Sequence, residues 1–212
     1  MENFYQRIHD VGILPVIRLE DAQKAVRLAH ALIEGGIPAA EITFRTEAAL
    51  PAIEAIAKAC PELLLGAGTV RAETQARQAA DAGAMFLVAP GSNPEVMRLA
   101  KDLCIPMLPG AVTATELEIG LALGYGTFKF FPADSYGGLK TINALSAPYQ
   151  EVWFVPTGGV DLSNLGEYLK NRHVMAVGGS FIAPAKLIDE ENYSAIMALG
   201  KAAASIRQQV RA

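Results

Sequence analysis

One lysine stands in the middle of an aromatic, apolar stretch, Thr127-Phe128-Lys129-Phe130-Phe131-Pro132-Ala133. The run reads as a buried strand that Pro132 and the small, polar residues up to Gly138 bring to an end. By the period of two, Phe128 and Phe130 fall on one face, and Lys129 and Phe131 on the other. Burying an unpaired ammonium is costly, so such a site favours the neutral amine, which attacks carbonyl carbon to give an imine. On an edge strand the same lysine would only snorkel out over the two phenylalanines. A second polar set follows the same spacing. Glu41, Thr43 and Arg45 share one parity in and just beyond Ala39-Ala40-Glu41-Ile42-Thr43-Phe44. A glutamate inside a strand needs a partner. If Glu41, Arg45 and Lys129 face one interior, the three satisfy one another. The carboxylate then sits where imine formation and carbon–carbon cleavage need a proton carrier. The bland alternative is an ion pair that closes the mouth of the fold.

The elements around these residues decide between the readings. Apolar periodicity, with glycine and proline as punctuation, predicts strands over residues 13–18, 39–44, 63–69, 85–90, 106–110, 127–133, 152–157 and 174–178. Helices are predicted over 2–10, 21–34, 47–60, 73–81, 94–103, 114–123, 139–145, 162–170 and 192–211. After a short N-terminal helix, strand then helix recurs eight times at nearly even spacing. That pattern, at this length, predicts an α/β protein, one (β/α)8 TIM barrel over residues 1–212, with no linker or second domain. An open, doubly wound sheet is the alternative, but the glycine-rich dinucleotide fingerprint is missing after the first strand.

Barrel enzymes carry their chemistry at the C-terminal ends of the strands. Polar or small residues gather there: Arg18, then Glu41, Thr43 and Arg45, Gly66-Ala67-Gly68-Thr69, Pro90-Gly91-Ser92, Pro109-Gly110, Lys129, Thr157-Gly158-Gly159 and Gly178-Gly179-Ser180. The two glycine pairs follow strands seven and eight, where barrels commonly hold phosphate on backbone N–H groups. Gly66-Ala67-Gly68-Thr69 lacks dinucleotide-loop spacing and reads as close backbone approach to a ligand, with Thr69 as a hydroxyl donor. His9, His30 and His173 are scattered away from the strand ends and read as surface residues, so neither a metal site nor a histidine base is expected.

Composition removes other classes. A formal net charge of −4 and the absence of any basic run argue against a nucleic-acid surface. No apolar run approaches the roughly 18 residues of a membrane span. The start, Met1-Glu2-Asn3-Phe4-Tyr5-Gln6-Arg7, lacks the features of a secretion signal. Cys60 and Cys104 read as reduced thiols of a cytoplasmic protein.

Taken together, Glu41-Ile42-Thr43-Phe44-Arg45-Thr46, Gly66-Ala67-Gly68-Thr69-Val70, Pro109-Gly110, Lys129-Phe130-Phe131-Pro132-Ala133 and Pro156-Thr157-Gly158-Gly159 resemble the bacterial 2-keto-3-deoxy-6-phosphogluconate aldolase family. Members of that family often also cleave 4-hydroxy-2-oxoglutarate. The resemblance runs from Ile13 to about Ala185. It implies a class I aldolase, free of metal and cofactor, that forms a Schiff base with pyruvate and releases glyceraldehyde 3-phosphate. By it, Lys129 is the imine lysine, Glu41 the general acid/base, and Arg45 and Thr69 hold the pyruvate carboxylate. Phe131 packs on the carbon chain, and Thr157 and Pro90 lie near substrate. Gly158, Gly159, Gly179 and Ser180, with Arg18, hold the phosphate. It further implies a homotrimer. Family members vary in the loops at 89–93 and 134–138, which leaves the aldehyde half of the substrate open. 4-Hydroxy-2-oxoglutarate and 2-dehydro-3-deoxy-6-phosphogalactonate are the substrate alternatives. A sugar-phosphate isomerase or epimerase, or a ligand-binding barrel without turnover, is the alternative of a different class.

Overall fold

The alternation read from the sequence is the one the chain adopts. A computed structural model describes residues 2–211; Met1 and Ala212 lie outside the described residues. Helix α1 (Glu2–Val11) leads into β1 (Ile13–Ile17), α2 (Ala25–Glu34), β2 (Ala39–Thr43), α3 (Ala49–Ala59), β3 (Leu64–Gly68) and α4 (Glu73–Asp81). Then come β4 (Phe86–Val88), α5 (Pro94–Asp102), β5 (Met107–Leu108), α6 (Ala114–Ala122), β6 (Thr127–Phe130) and α7 (Gly138–Ser146). The series ends with β7 (Trp153–Pro156), α8 (Leu165–Lys170), β8 (Val177–Gly179), a short α9 (Ala185–Asp189) and α10 (Tyr193–Val210).

Six strands form one parallel ladder in the order β5-β4-β3-β2-β1-β8, and β6 pairs with β7 in a second. Single parallel bridges join the two ladders at both seams: Gly110 with Lys129 on one side, Phe154 with Val174 and Thr157 with Gly178 on the other. The ring therefore closes, as the (β/α)8 reading requires and an open doubly wound sheet does not allow. β5 is the shortest strand because prolines, which have no N–H to give a ladder, stand on both sides of it at 106 and 109. Strand eight begins three residues later than its apolar run. Across the seam Phe154 N–H donates to His173 O and Met175 N–H to Phe154 O, and pairing with β1 starts only at Val177, opposite Ile13. The helix expected from residue 162 begins at Leu165, because Asp161 and Asn164 close a turn on each other's backbone and that of Ser163.

Strand parity sorts the apolar residues into two cores. Ile13, Ile17, Ile42, Leu65, Ala67, Phe128, Phe130 and Phe154 pack outward against the helices. Leu14, Ala39, Leu64, Phe86, Leu108, Val155 and Met175 fill the barrel. Phe4 and Ile8, one turn apart on α1, stopper this inner core from the N-terminal end, with the rings of Phe4 and Phe86 4.9 Å apart. Arg211 fastens the same end. Its guanidinium donates to the carbonyls of Leu169, His9, Met175 and Val174 over 2.7–3.2 Å. Burial, then the neighbouring Arg207, pulls the Arg211 pKa below its ordinary value.

Candidate active site

With one end of the barrel packed, the other is where polar side chains converge. Lys129 points inward from β6, and its Nζ lies 3.0 Å from Glu41 Oε1 and 3.2 Å from Oε2. Both side chains are almost wholly enclosed, at 5% and 1% exposure. β2 supplies Glu41, and β3 makes room for it. A Cβ at Gly68 would lie 2.2 Å from Glu41 Oε1, and one at Gly66 would lie 2.2 Å from the Phe86 ring. The close approach signalled by Gly66-Ala67-Gly68 is thus to these two side chains, not to a ligand. Phe131 follows with its ring centroid 5.6 Å from Lys129 Nζ, within cation–π range.

Arg45 does not join the pair. Its Nε donates to Thr69 Oγ1 at 3.1 Å, so the expected mutual satisfaction holds for Lys129 and Glu41 but not for the third member. Thr69 has φ 59, a left-handed conformation unusual for a β-branched residue. Such conformations persist where the surroundings over-determine them, often at functional sites.

Above the pair opens a cavity of about 310 Å³. Arg18, Arg45, Lys129, Thr157, Gly158, Gly159, Gly179 and Ser180, all read at strand ends, line it, and so does Phe131, which shares the parity of Lys129. Glu41 lies beneath its floor behind Lys129, Thr69 reaches it through Arg45, and Pro90 stands exposed outside the lining. Gly158 and Gly159 have φ +95 and +79, which only glycine adopts freely, so the chain turns sharply over the cavity. Among the described residues, the N–H groups of Gly159 and Ser180 give no hydrogen bond to a backbone carbonyl. At a charged cavity wall, unused donors favour an anion.

Val16, Ile17, Thr43, Val160, Ala183 and Ala185 also line the cavity and had no assigned role. Thr43 shares the parity of Glu41 and Arg45 and was therefore within reach of sequence reasoning. Ala183 and Ala185 lie after the last strand, where no periodicity signals the short α9. His173 corrects an expectation. It is 8% exposed rather than on the surface, with its ring nitrogens 3.1 Å from Val152 O and from Arg172 Nε. Among the described residues no three His, Cys, Asp or Glu side chains cluster as metal ligands would.

Residues 5–199 match the family described as KDPG and KHG aldolase. The chain belongs to this family. Among its curated relatives, 2-dehydro-3-deoxy-phosphogluconate aldolase of Treponema pallidum is 45% identical over 201 residues, covering 95% of this chain and 96% of that protein. KHG/KDPG aldolase of Escherichia coli is 40% identical and covers 90% of each chain. Among solved structures, KDPG aldolase of Legionella pneumophila, with pyruvate captured as a covalent carbinolamine, superposes with a TM-score of 0.91 at 38% identity. That likeness covers 94% of this chain and 97% of that one. The family match over residues 5–199 spans every strand of the ring and every residue that lines the cavity.

Proposed function

We propose that the protein is a class I aldolase that cleaves 2-dehydro-3-deoxy-6-phosphogluconate to pyruvate and glyceraldehyde 3-phosphate. The observation that carries this reading is a single enclosed lysine, 3.0 Å from a carboxylate, on the floor of a cavity walled by two arginines. Lys129 Nζ attacks the C2 carbonyl of the 2-keto acid. Glu41, within reach of the same nitrogen, takes the amine's proton and returns one to the departing hydroxyl, so that water leaves and the imine forms. The imine draws in the electron pair of the C3–C4 bond while a base removes the C4 hydroxyl proton. The aldehyde departs, and an enamine remains. Protonation at C3 and hydrolysis release pyruvate and regenerate the amine.

Arg45 and Thr69, already joined, suit the substrate carboxylate, which a guanidinium binds well. Phe131 packs on the carbon chain, with Thr157 beside it. The free N–H groups of Gly159 and Ser180, with Gly158, Gly179 and Arg18, suit the phosphate at the far end. An amine and a carboxylate supply every step, so the mechanism requires no metal and no cofactor. The name of the Escherichia coli relative supports 4-hydroxy-2-oxoglutarate as a further substrate, giving pyruvate and glyoxylate. Family resemblance supports a homotrimer in the cytoplasm, and among the described residues no helix is long and apolar enough to cross a membrane.

Incubation with pyruvate and borohydride, followed by peptide mass spectrometry, tests this reading. One reduced pyruvyl group should appear, on Lys129. An adduct on another lysine such as Lys140 overturns the assignment, and no adduct at all points to an isomerase or a binding protein on the same barrel.

A further inference from the structure

Three cationic side chains line the cavity, Arg18, Arg45 and Lys129, and they differ in how their charge is met. Lys129 is paired with Glu41 below the floor, and Arg45 bonds a neutral hydroxyl. Arg18 Nη2 lies 2.6 Å from Glu20 Oε1, and Glu20 is not part of the cavity wall. The backbone on either side of Arg18 is pinned. Thr43 Oγ1 donates to Ile17 O, and Thr46 Oγ1 donates to Leu19 O. Leu19 itself is buried. With its main chain fixed and its side chain 59% exposed, Arg18 has a choice of anions. One is the Glu20 carboxylate outside the cavity, and the other is an anion bound within.

We propose that Glu20 is a positioning residue that competes with ligand phosphate for Arg18 and so limits how tightly the far end of the cavity holds a phosphorylated ligand. Glu20 has this role only if that end takes phosphate, as proposed above. A phosphate dianion brings more charge and three acceptor oxygens, so it draws the guanidinium away from a carboxylate. When the phosphorylated aldehyde leaves, Glu20 takes Arg18 back, which favours release of a product that the free N–H groups would otherwise retain. A substrate that does not reach Arg18 breaks no ion pair.

Calorimetric titration with inorganic phosphate at low ionic strength tests the competition without any turnover. An exposed ion pair sets the scale, so Glu20→Gln should tighten phosphate binding about 1.5- to 5-fold. Arg18→Gln should weaken it. In the Arg18→Gln background, Glu20→Gln should change nothing. With the phosphorylated substrate, KM of Glu20→Gln should fall by the same factor with no rise in kcat, and Glu20→Asp should lie between. Weaker phosphate binding in Glu20→Gln would mean that Glu20 pre-orders Arg18 instead, which overturns the proposal. Equal tightening without Arg18 would reduce the effect to general charge, and undetectable phosphate binding in all variants would remove the subsite. Pyruvate trapping on Lys129 in the same variants is a separate readout, because it tests the aldolase reading without phosphate.

Discussion

A methyl group at position 68 should disable the site without replacing any of its polar atoms. Gly68 has an ordinary strand backbone, so alanine fits its φ and ψ, yet the new Cβ would lie 2.2 Å from Glu41 Oε1 and 2.5 Å from its Cγ. A normal contact is about 3.5 Å, so the carboxylate must withdraw by about 1 Å. At 1% exposure it has little space to do so. Withdrawal stretches the contacts to Lys129 Nζ, now 3.0 and 3.2 Å, beyond hydrogen-bonding length. A displacement of that size typically costs about 10²-fold in rate. Gly66→Ala is the matched control. Its Cβ would meet the Phe86 ring at 2.2 Å on the same strand face, two residues farther from the mouth than Gly68, and no atom of Glu41 is among its nearest neighbours. Both variants should lose about 1–3 kcal/mol of stability to overpacking. Only Gly68→Ala should lose kcat by about 10²-fold, measured as pyruvate release coupled to its reduction. Near-normal turnover in Gly68→Ala, or an equal loss in Gly66→Ala, would refute the claim that proton transfer depends on the present Glu41 geometry.

Glu41→Gln keeps the shape and removes the base. Its kcat should fall by about 10²–10⁴-fold while pyruvate still binds, and solvent exchange of the pyruvate methyl protons, followed by NMR, should slow in parallel. Ser180→Asp puts a negative charge beside the free N–H groups. It should raise KM for the phosphorylated substrate and affect 4-hydroxy-2-oxoglutarate much less; equal loss on both would remove the phosphate subsite. Burial, and then Tyr5, pushes the Tyr125 pKa up to about 12, and its hydroxyl donates to Met97 O at 2.6 Å. The folded chain therefore keeps this proton above pH 10, where the unfolded chain loses it, so the contribution is full below pH 10 and fades as pH rises toward 12. Denaturant titrations across that window should show Tyr125→Phe losing less stability with pH than the parent protein.

Much of this site was legible because strand parity is a strict rule. Spacing puts Lys129 with Phe131 on one face, and Glu41 with Arg45 on another, and the chain turns both faces toward the cavity. Parity fixes the face but not the height, so Arg45, four residues nearer the mouth than Glu41, reaches Thr69 instead. The glycines of β3 were recognised as close-approach positions, but their neighbours, Glu41 and Phe86, come from adjacent strands whose register is a tertiary property. His173 looked superficial because a polar residue between short elements carries no periodic signal; its burial comes from bonds to Val152 and Arg172. The Arg18–Glu20 pair carries no signal either, since both residues lie beyond the end of β1, where no period fixes how long side chains meet.

The clasp made by Arg211 sets a timetable for the chain as it is synthesised. Ile13 pairs with Val177, and Arg211 bonds the carbonyl of His9, so the β1–β8 pairing and the stopper both wait for residues synthesised long after their partners. Contacts this distant along the chain carry their loop-closure entropy before they return any energy. Until Met175 and then Arg211 emerge, Phe4 and Ile8 face an unfinished floor without the carbonyl bond between those two. Helix α1, synthesised well before these partners, is fixed in place only once they are there.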